Sequence, residues 1–286
     1  EHHNMEGVAS NATSVLMGFA AAHTQRIRVG SGGIMLPNHS PLAISEQFGT
    51  LAQLYPNRID LGLGRAPGTD GLPAQYMNEN FMKNVQEFPQ NVSLIQQFFS
   101  TENEQAKVRA YVAEGTQVPI YILGSSTDSA VLAAAYGLPY AFASHFAPQQ
   151  MAAAFRFYTN EFQANDLLEK PHKIACVNVS VGETNEEAKL HASSFYKMFL
   201  GLIRNQRSTM KKPDMTYYDD WTVVEEAHLS QMTAGSFIGD EETVARNLKQ
   251  FIDRYQIDEI MMSCPIYSAE QRLYSMEKFA SIMRKI

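Results

Sequence analysis

Glu1-His2-His3 places two imidazoles beside a carboxylate. An imidazole, with an ordinary pKa of about 6.5, suits proton transfer near neutral pH. Gly30-Ser31-Gly32-Gly33 and Gly62-Leu63-Gly64-Arg65 each adjoin an apolar run. Glycines at strand ends let a flat ligand approach the backbone, because no Cβ stands in the way. The Arg65 guanidinium offers a bidentate fork for an anion. Gly124-Ser125-Ser126-Thr127-Asp128-Ser129 opens a helical pattern. The free N–H groups and dipole of such a helix start favour an anion, and small hydroxyls add donors without blocking access. Ser144-His145-Phe146 supplies another imidazole, and Ser263-Cys264-Pro265 a thiol.

Each group has a plainer reading on residues alone. Glu1, His2 and His3 can form a structural hydrogen-bond cluster at a strand end. A metal site, drawing on His23 and His39 nearby in sequence, is disfavoured: adjacent histidines on a strand point to opposite faces, and no zinc-ligand spacing recurs. Gly32-Gly33 can be a β-bulge. Arg65 can form a surface ion pair, Ser126 or Thr127 can simply cap a helix, and His145 can be structural. Cys264 has no visible catalytic partner. No P-loop, Rossmann fingerprint or nucleophile elbow occurs, so NAD(P)H, if used, needs no dedicated Rossmann domain.

The elements that must position these groups alternate. Val15, Leu16, Phe19 and Ala22 predict a first helix, and Ile27, Val29 and Ile34 a strand region around the glycines. Ser40 and Pro41 are placed to cap and start a helix with Ile44, Phe48, Leu51 and Tyr55 at helical spacing. Strand Ile59–Leu63 leads to a polar loop through Gly71 and Pro73. A helix over Phe88, Val92, Ile95 and Phe99 follows, then a polar stretch near Thr101–Lys107 and strand Pro119–Leu123. The next helix is expected to turn Val131, Leu132 and Ala135 inward and to stop at Gly137. Strand Tyr140–Ala143, a helix near Pro148–Phe162 and strand Ile174–Val181, read with one wet face, come next. Glu183–Gly235 is long and polar and is read as an insertion, with its Phe195, Tyr196, Met198, Phe199 and Trp221 as core or lid. Asp240 caps a helix with Val244, Leu248, Phe251 and Tyr255. A strand Ile257–Ser263 and a helix Leu273–Met283 close the chain. About six strands separated by helices indicate βαβ units and a parallel sheet.

The chain has 286 residues, 45% of them apolar, enough for one large domain. A net charge of −7 argues against nucleic acid and anionic membranes as partners. Two distant cysteines form no disulfide framework and fit a reducing, cytoplasmic compartment. No apolar run reaches the roughly 20 residues of a membrane helix.

Five stretches together resemble the luciferase-like, flavin-dependent oxidoreductase family. They are Glu1-His2-His3-Asn4 before a helix, Val29-Gly30-Ser31-Gly32-Gly33-Ile34-Met35-Leu36-Pro37, and Arg58-Ile59-Asp60-Leu61-Gly62-Leu63-Gly64-Arg65. The others are Pro119-Ile120-Tyr121-Ile122-Leu123-Gly124-Ser125-Ser126 and Ile238-Gly239-Asp240-Glu241-Glu242-Thr243-Val244. The resemblance covers nearly the whole chain. It implies an α/β fold, a TIM (β/α)8 barrel forming one domain over residues 1–286, with a long insertion at about 183–235 before the last βα units. Family members carry Glu-His-His after their second strand. The chain is therefore expected to lack the first strand–helix unit and most of the second strand, and the natural polypeptide to be longer by roughly 40 residues.

The resemblance also implies chemistry. His2 is the expected catalytic residue, near the reactive edge of a flavin, with His3 structural. Ser31, Gly32, Gly33, Gly64, Arg65, Ser125, Ser126, Ser129 and His145 are the expected cofactor contacts. The ring would lie at Gly32-Gly33, joined by a non-prolyl cis peptide, and the phosphate would meet Arg65 and the serines. Gly71–Asn78 lacks a basic residue that some members carry there. The implied activity is an FMN-dependent monooxygenase using reduced flavin and molecular oxygen on a small organic substrate. NAD(P)H or a separate flavin reductase would supply the electrons. Hydride transfer with a deazaflavin coenzyme and non-catalytic flavin binding are the alternatives. A homodimer through the helices at Val15–Ala22 and Ile44–Tyr55 is the expected assembly.

Overall fold

A computed structural model describes residues 1–286 apart from 104, 105, 207 and 217–220. Parts of the polar stretch Thr101–Lys107 and of the segment 183–235 thus lie outside the described residues. Strands and helices alternate, every described strand pairing is parallel, and the chain divides into two compact units.

The first unit comprises Glu1–Gly124 and Ala135–Pro139. Its elements are α1 (Thr13–Ala22), β1 (Val29–Gly30), β2 (Ile34–Met35), α2 (Pro41–Leu54), β3 (Ile59–Gly64), α3 (Gly71–Met77), α4 (Phe81–Gln86), α5 (Phe88–Phe99) and β4 (Ile120–Gly124). β3 is central: it pairs with β1 through Val29 and Ile59, with β2 through Ile34 and Leu63, and with β4 through Leu61 and Ile120. Its Ile59, Leu61 and Leu63 are buried. Parallel neighbours need helical crossovers, and α2 supplies one, burying Ile44, Phe48 and Leu51. α5 buries Phe88, Val92, Ile95, Phe98 and Phe99 and packs on α2.

Three expectations change in this unit. The polar loop beyond Gly71 is helical, as α3. Pro73 is tolerated because it falls in the first turn, where its missing N–H has no helical partner to lose. Ser40 stands at the N-cap of α2, but its side chain makes no capping bond. Ile44, Phe48 and Leu51 of α2 are buried, whereas Leu54 of α2 and Val15, Leu16 and Phe19 of α1 are exposed.

The second unit comprises Ser125–Ala134 and Tyr140–Ile286. It holds α6 (Thr127–Ala135, all but its last residue), β5 (Tyr140–Phe142), α7 (Met151–Glu161), β6 (Lys173–Val181), α8 (Asn185–Ile203), α9 (Val223–Met232), β7 (Ser236–Gly239), α10 (Glu241–Tyr255), β8 (Glu259–Ser263) and α11 (Ala269–Met283). β6 pairs with β5, β7 and β8. It has no wet face: among its residues only Cys176 is not buried. Its polar side chains are satisfied internally, with Ser180 Oγ donating to the Ala188 carbonyl and Lys173 Nζ to the Tyr255 carbonyl.

β7, together with the splitting of the first strand region into β1 and β2, raises the strand total to eight among the described residues, against about six expected. It has four residues and follows a polar segment, so it leaves little periodic signal. α6 buries Ala130, Ala133 and Ala134 rather than Val131, Leu132 and Ala135, and Val131 is exposed. Gly137, with φ +59°, ends the helix as expected. Asp240 caps α10 by accepting the Thr243 N–H. The segment 183–235 contains α8 and α9, whose Ala192, Phe195, Phe199, Leu200 and Leu229 form a buried cluster with Tyr196, Met198 and Trp221 against it. Among the described residues no helix is long and apolar enough to cross a membrane.

Candidate active site

In the first unit a short strap, Glu1–His3, is held by two loops. The Glu1 side chain is 1% exposed, and its carboxylate gathers a ring of donors. His39 Nε2 lies 2.8 and 2.9 Å from its two oxygens, His3 Nε2 2.9 Å from Oε1, the Met35 N–H 2.9 Å from Oε2 and Asn38 Nδ2 3.2 Å from Oε1. Burial alone would raise this carboxyl. The hydrogen bonds from His39 and His3, the His39 charge and the Met35 N–H outweigh burial and hold it at about 2. His3 is part of the strap, but Met35 ends β2 and Asn38 and His39 lie in the turn after it, so the carboxylate fastens the strap to that turn. The Glu1 nitrogen also donates to the Gly33 carbonyl at 3.2 Å.

The other loop follows β3. The Gly68 carbonyl accepts the His3 N–H at 3.1 Å and lies 3.2 Å from His2 Nδ1. Thr69 Oγ1 donates to the His3 carbonyl at 2.8 Å. Gly68 has φ +69°, and a Cβ there would lie 2.7 Å from the Glu1 carbonyl oxygen, so both backbone shape and space call for glycine. His2 is exposed, while His3 is half-buried. The Glu1–His3 cluster is thus the structural hydrogen-bond network that the residues allowed, and His2 stands outside it.

Gly32 and Gly33 are joined by a cis peptide bond, as the resemblance implied, in place of a β-bulge. Their packing differs. A Cβ on Gly33 would lie 2.6 Å from the Gly62 carbonyl oxygen, whereas a Cβ on Gly32 would meet nothing within 4 Å. Glycine at 33 is therefore demanded by strand packing. At 32 the protein leaves a bare backbone face with open space over it, a fit for a flat ring. Ser31 is buried, and its hydroxyl donates to the Gly62 carbonyl and accepts the Gly62 N–H, both at 2.9 Å. It serves to join β1 to β3. A Cβ on Gly64 would meet the Met35 side chain at 2.7 Å. Arg65 is exposed just past the end of β3.

In the second unit Ser125 and Ser126 are half-buried before α6. The Thr127 N–H donates to Gln150 Oε1 at 3.2 Å. Ser129 is engaged within the protein: its Oγ lies 2.8 Å from the Ser126 carbonyl and 2.9 Å from Tyr140 Oη, which itself donates to the Ser126 carbonyl at 2.9 Å. The loop after β5 carries His145, whose Nδ1 is buried without a hydrogen-bond partner. Burial pushes this imidazole down to about 4, so it is neutral at pH 7. Ser144 Oγ donates to the Cys176 carbonyl at 2.6 Å, and Asn178 Nδ2 donates to the His145 carbonyl. Cys264 is half-buried, and burial raises its thiol.

Sequence reasoning missed the centre of the first network. Glu1 and His39 were considered only as parts of a cluster or metal set. A glycine nine residues past the start of β3, before Thr69, carried no signal that its carbonyl would meet a histidine imidazole.

A family model described as luciferase-like monooxygenase matches residues 1–255. Protein YvbT of Bacillus subtilis (strain 168), whose function is uncharacterized, is 44% identical over 285 residues, covering 99% of this chain and 84% of the relative. A luciferase-like monooxygenase of Escherichia coli (strain K12) is 40% identical over 277 residues, covering 97% and 83%. Among solved structures, apo-MsnO8 superposes with a TM-score of 0.86 at 25% identity, covering 99% of this chain and 86% of that one. The fold also matches the oxygenating constituent of 3,6-diketocamphane monooxygenase from Pseudomonas putida, a type II Baeyer–Villiger enzyme in complex with FMN (TM-score 0.67, 17% identity, 93% and 82% covered). An F420-dependent secondary alcohol dehydrogenase with an F420–acetone adduct matches at TM-score 0.70 and 14% identity, with 98% and 86% covered.

Proposed function

The chain belongs to the luciferase-like monooxygenase family and is a flavin-dependent oxidoreductase, and we propose that it is an FMN-dependent monooxygenase acting with molecular oxygen on a small organic substrate. The observation that supports this most directly is the bare face of Gly32 beside the clamped Glu1–His3 strap. Nothing in the surrounding protein requires glycine at 32 for room, so a ligand is what a side chain there would obstruct. Reduced FMN, when bound, supplies two electrons and the activation of oxygen.

The chain's own residues do the rest. Gly32 and Gly33 offer backbone to the ring, with Ser31 and Gly64 keeping β1 to β3 closely packed beneath it. Arg65 provides a guanidinium for the phosphate. Ser125, Ser126 and the first N–H groups of α6 offer donors to an anion. His2 moves the proton that oxygenation requires. Neutral His145 offers a ligand-facing acceptor or donor without adding charge. NAD(P)H or a flavin reductase is the proposed electron source, and the exposed Val15, Leu16 and Phe19 of α1 are the proposed seam of a homodimer. The two free cysteines fit a reducing cytoplasm.

Fluorescence titration with FMN, and in parallel with the deazaflavin coenzyme, tests the reading. Saturable FMN binding is expected, weakened about tenfold or more in Gly32→Ala and Arg65→Ala while the melting temperature of Gly32→Ala stays within 2 °C or so. Binding of the deazaflavin coenzyme with none of FMN would replace oxygenation by hydride transfer. Binding of FMN without oxygen-dependent turnover of any substrate would leave a flavin-binding protein.

A further inference from the structure

Three histidines converge on the strap, and the structure separates them by which ring nitrogen is occupied. His3 and His39 both direct Nε2 to the Glu1 carboxylate. A carboxylate held at about 2 is ionised and can only accept, so both rings carry a proton on Nε2. His2 uses its other nitrogen: Nδ1 lies 3.2 Å from the Gly68 carbonyl oxygen. A carbonyl has no proton to give, so this contact requires the hydrogen on Nδ1 and leaves the neutral ring's lone pair on Nε2.

We propose that His2 works through Nε2, and that the Gly68 carbonyl is the group that fixes this tautomer. Gly68 is a positioning residue, acting through His2. It can perform this role because its own place is tightly determined. Its φ of +69° and the close approach of the Glu1 carbonyl exclude a side chain, and the same carbonyl accepts the His3 N–H, so the strap cannot slide along the loop without losing both bonds. On the opposite side the Glu1–His39 contact, with Met35 and Asn38, prevents the strap from lifting. The clamp also explains why His3, next in sequence, is not an equivalent base: its Nε2 is committed to Glu1.

The proton-transfer part rests on the proposed monooxygenase reading; the tautomer does not. The test begins with the flavin-free protein. Nitrogen-15 NMR of histidine-labelled protein, with His2 assigned by its loss in His2→Asn, reports which ring nitrogen carries hydrogen above the ring's titration. The expected result is hydrogen on Nδ1 for His2, opposite to the form favoured by free histidine, and on Nε2 for His3 and His39. Hydrogen on Nε2 of His2 overturns the proposal. Gly68→Ala is expected to shift His2 toward the Nε2-protonated form. If that variant does not fold, His39→Gln, which keeps a donor for Glu1, is expected to retain the wild-type His2 tautomer and His39→Leu to lose it.

The second arm is turnover with reduced FMN and oxygen. His2→Asn retains a donor toward Gly68 but has no lone pair at the Nε2 position. It is expected to bind FMN within twofold of wild type and to lose at least tenfold in kcat. Normal turnover in His2→Asn with the expected tautomer in the wild type overturns the working role of Nε2 and, with it, the proton-transfer reading of His2. An essential His2 protonated on Nε2 leaves the proton-transfer reading intact and overturns both the Nε2 role and the Gly68 assignment.

Discussion

His39 and His145 each sit in a loop beyond the end of a parallel strand, one in each unit, and their surroundings are opposite. His39 donates to a carboxylate that is 1% exposed and stays ionised because several donors surround it. His145 holds an unpartnered Nδ1 among buried groups and is kept neutral at neutral pH by desolvation. One environment stabilises charge with hydrogen bonds; the other excludes charge by drying the site. The identity of the residue predicts neither outcome.

Breaking the polar side has the largest expected effect. Glu1→Ala leaves the His39, His3, Met35 and Asn38 donors without their acceptor and is expected to lower unfolding free energy by about 3 kcal/mol in urea titration. A loss below about 1 kcal/mol would mean that water replaces the carboxylate and that the strap is not clamped. The same group sets an acid limb. Its folded value of about 2 lies below the ordinary carboxyl value of 4.5, so its contribution is complete above about 4.5 and is lost as pH falls towards 2.

The glycine pair gives the next contrast. Gly33→Ala drives a Cβ to 2.6 Å from the Gly62 carbonyl oxygen, and strand separation is expected to lower stability by about 2 kcal/mol. Gly32→Ala faces open space, and its effect should appear in FMN affinity instead. Equal melting temperatures for the two variants would erase the distinction between a packing glycine and a ligand-facing one.

His145 supplies a smaller effect in a different pH window. A histidine depressed from 6.5 to about 4 takes up its proton in the unfolded chain first. Its contribution is therefore present above about 6.5 and is lost as pH falls towards 4, by about 1 kcal/mol at pH 5.5. His145→Leu is expected to flatten urea-derived stability between pH 6.5 and 4.5, while Glu1→Gln flattens it only below 4.5. An unchanged upper limb in His145→Leu would place that titration elsewhere.

Much of the architecture was legible because the elements obey short-range rules. β3 alternates buried Ile59, Leu61 and Leu63, α2 starts at Pro41, and Asp240 caps α10. The failures have a common cause in tertiary context. The polar Asn178 and Ser180 of β6 read as a wet face, yet they are buried, as is Lys173, and Lys173 and Asn178 pair with groups distant in sequence. α6 buries Ala130, Ala133 and Ala134 in place of Val131 and Leu132, and no periodicity count distinguishes that from an ordinary Val and Leu face. At the site, sequence motifs indicated which loops matter. They did not reveal the Glu1 acceptor, whose partners Met35, Asn38 and His39 lie more than 30 residues away.

Ser129 offers the finest test, because residue type and geometry point in different directions. Three serines at a helix start suggested three donors to a phosphate. Ser129 Oγ instead closes a triangle with Tyr140 Oη and the Ser126 carbonyl, all within 2.9 Å, and burial pushes the Tyr140 phenol up, so that it remains a donor. A hydroxyl with its proton committed inside such a triangle has little to offer an incoming anion. Ser129→Ala should remove one internal hydrogen bond, lowering stability by about 1 kcal/mol, while FMN affinity stays within twofold of wild type. Ser126→Ala leaves the carbonyl and the triangle in place and should do the reverse, sparing stability and weakening phosphate contact. A tenfold loss of FMN affinity in Ser129→Ala would mean that the triangle opens when ligand binds. The helix start would then join His39's side of the comparison, as a site organised around charge.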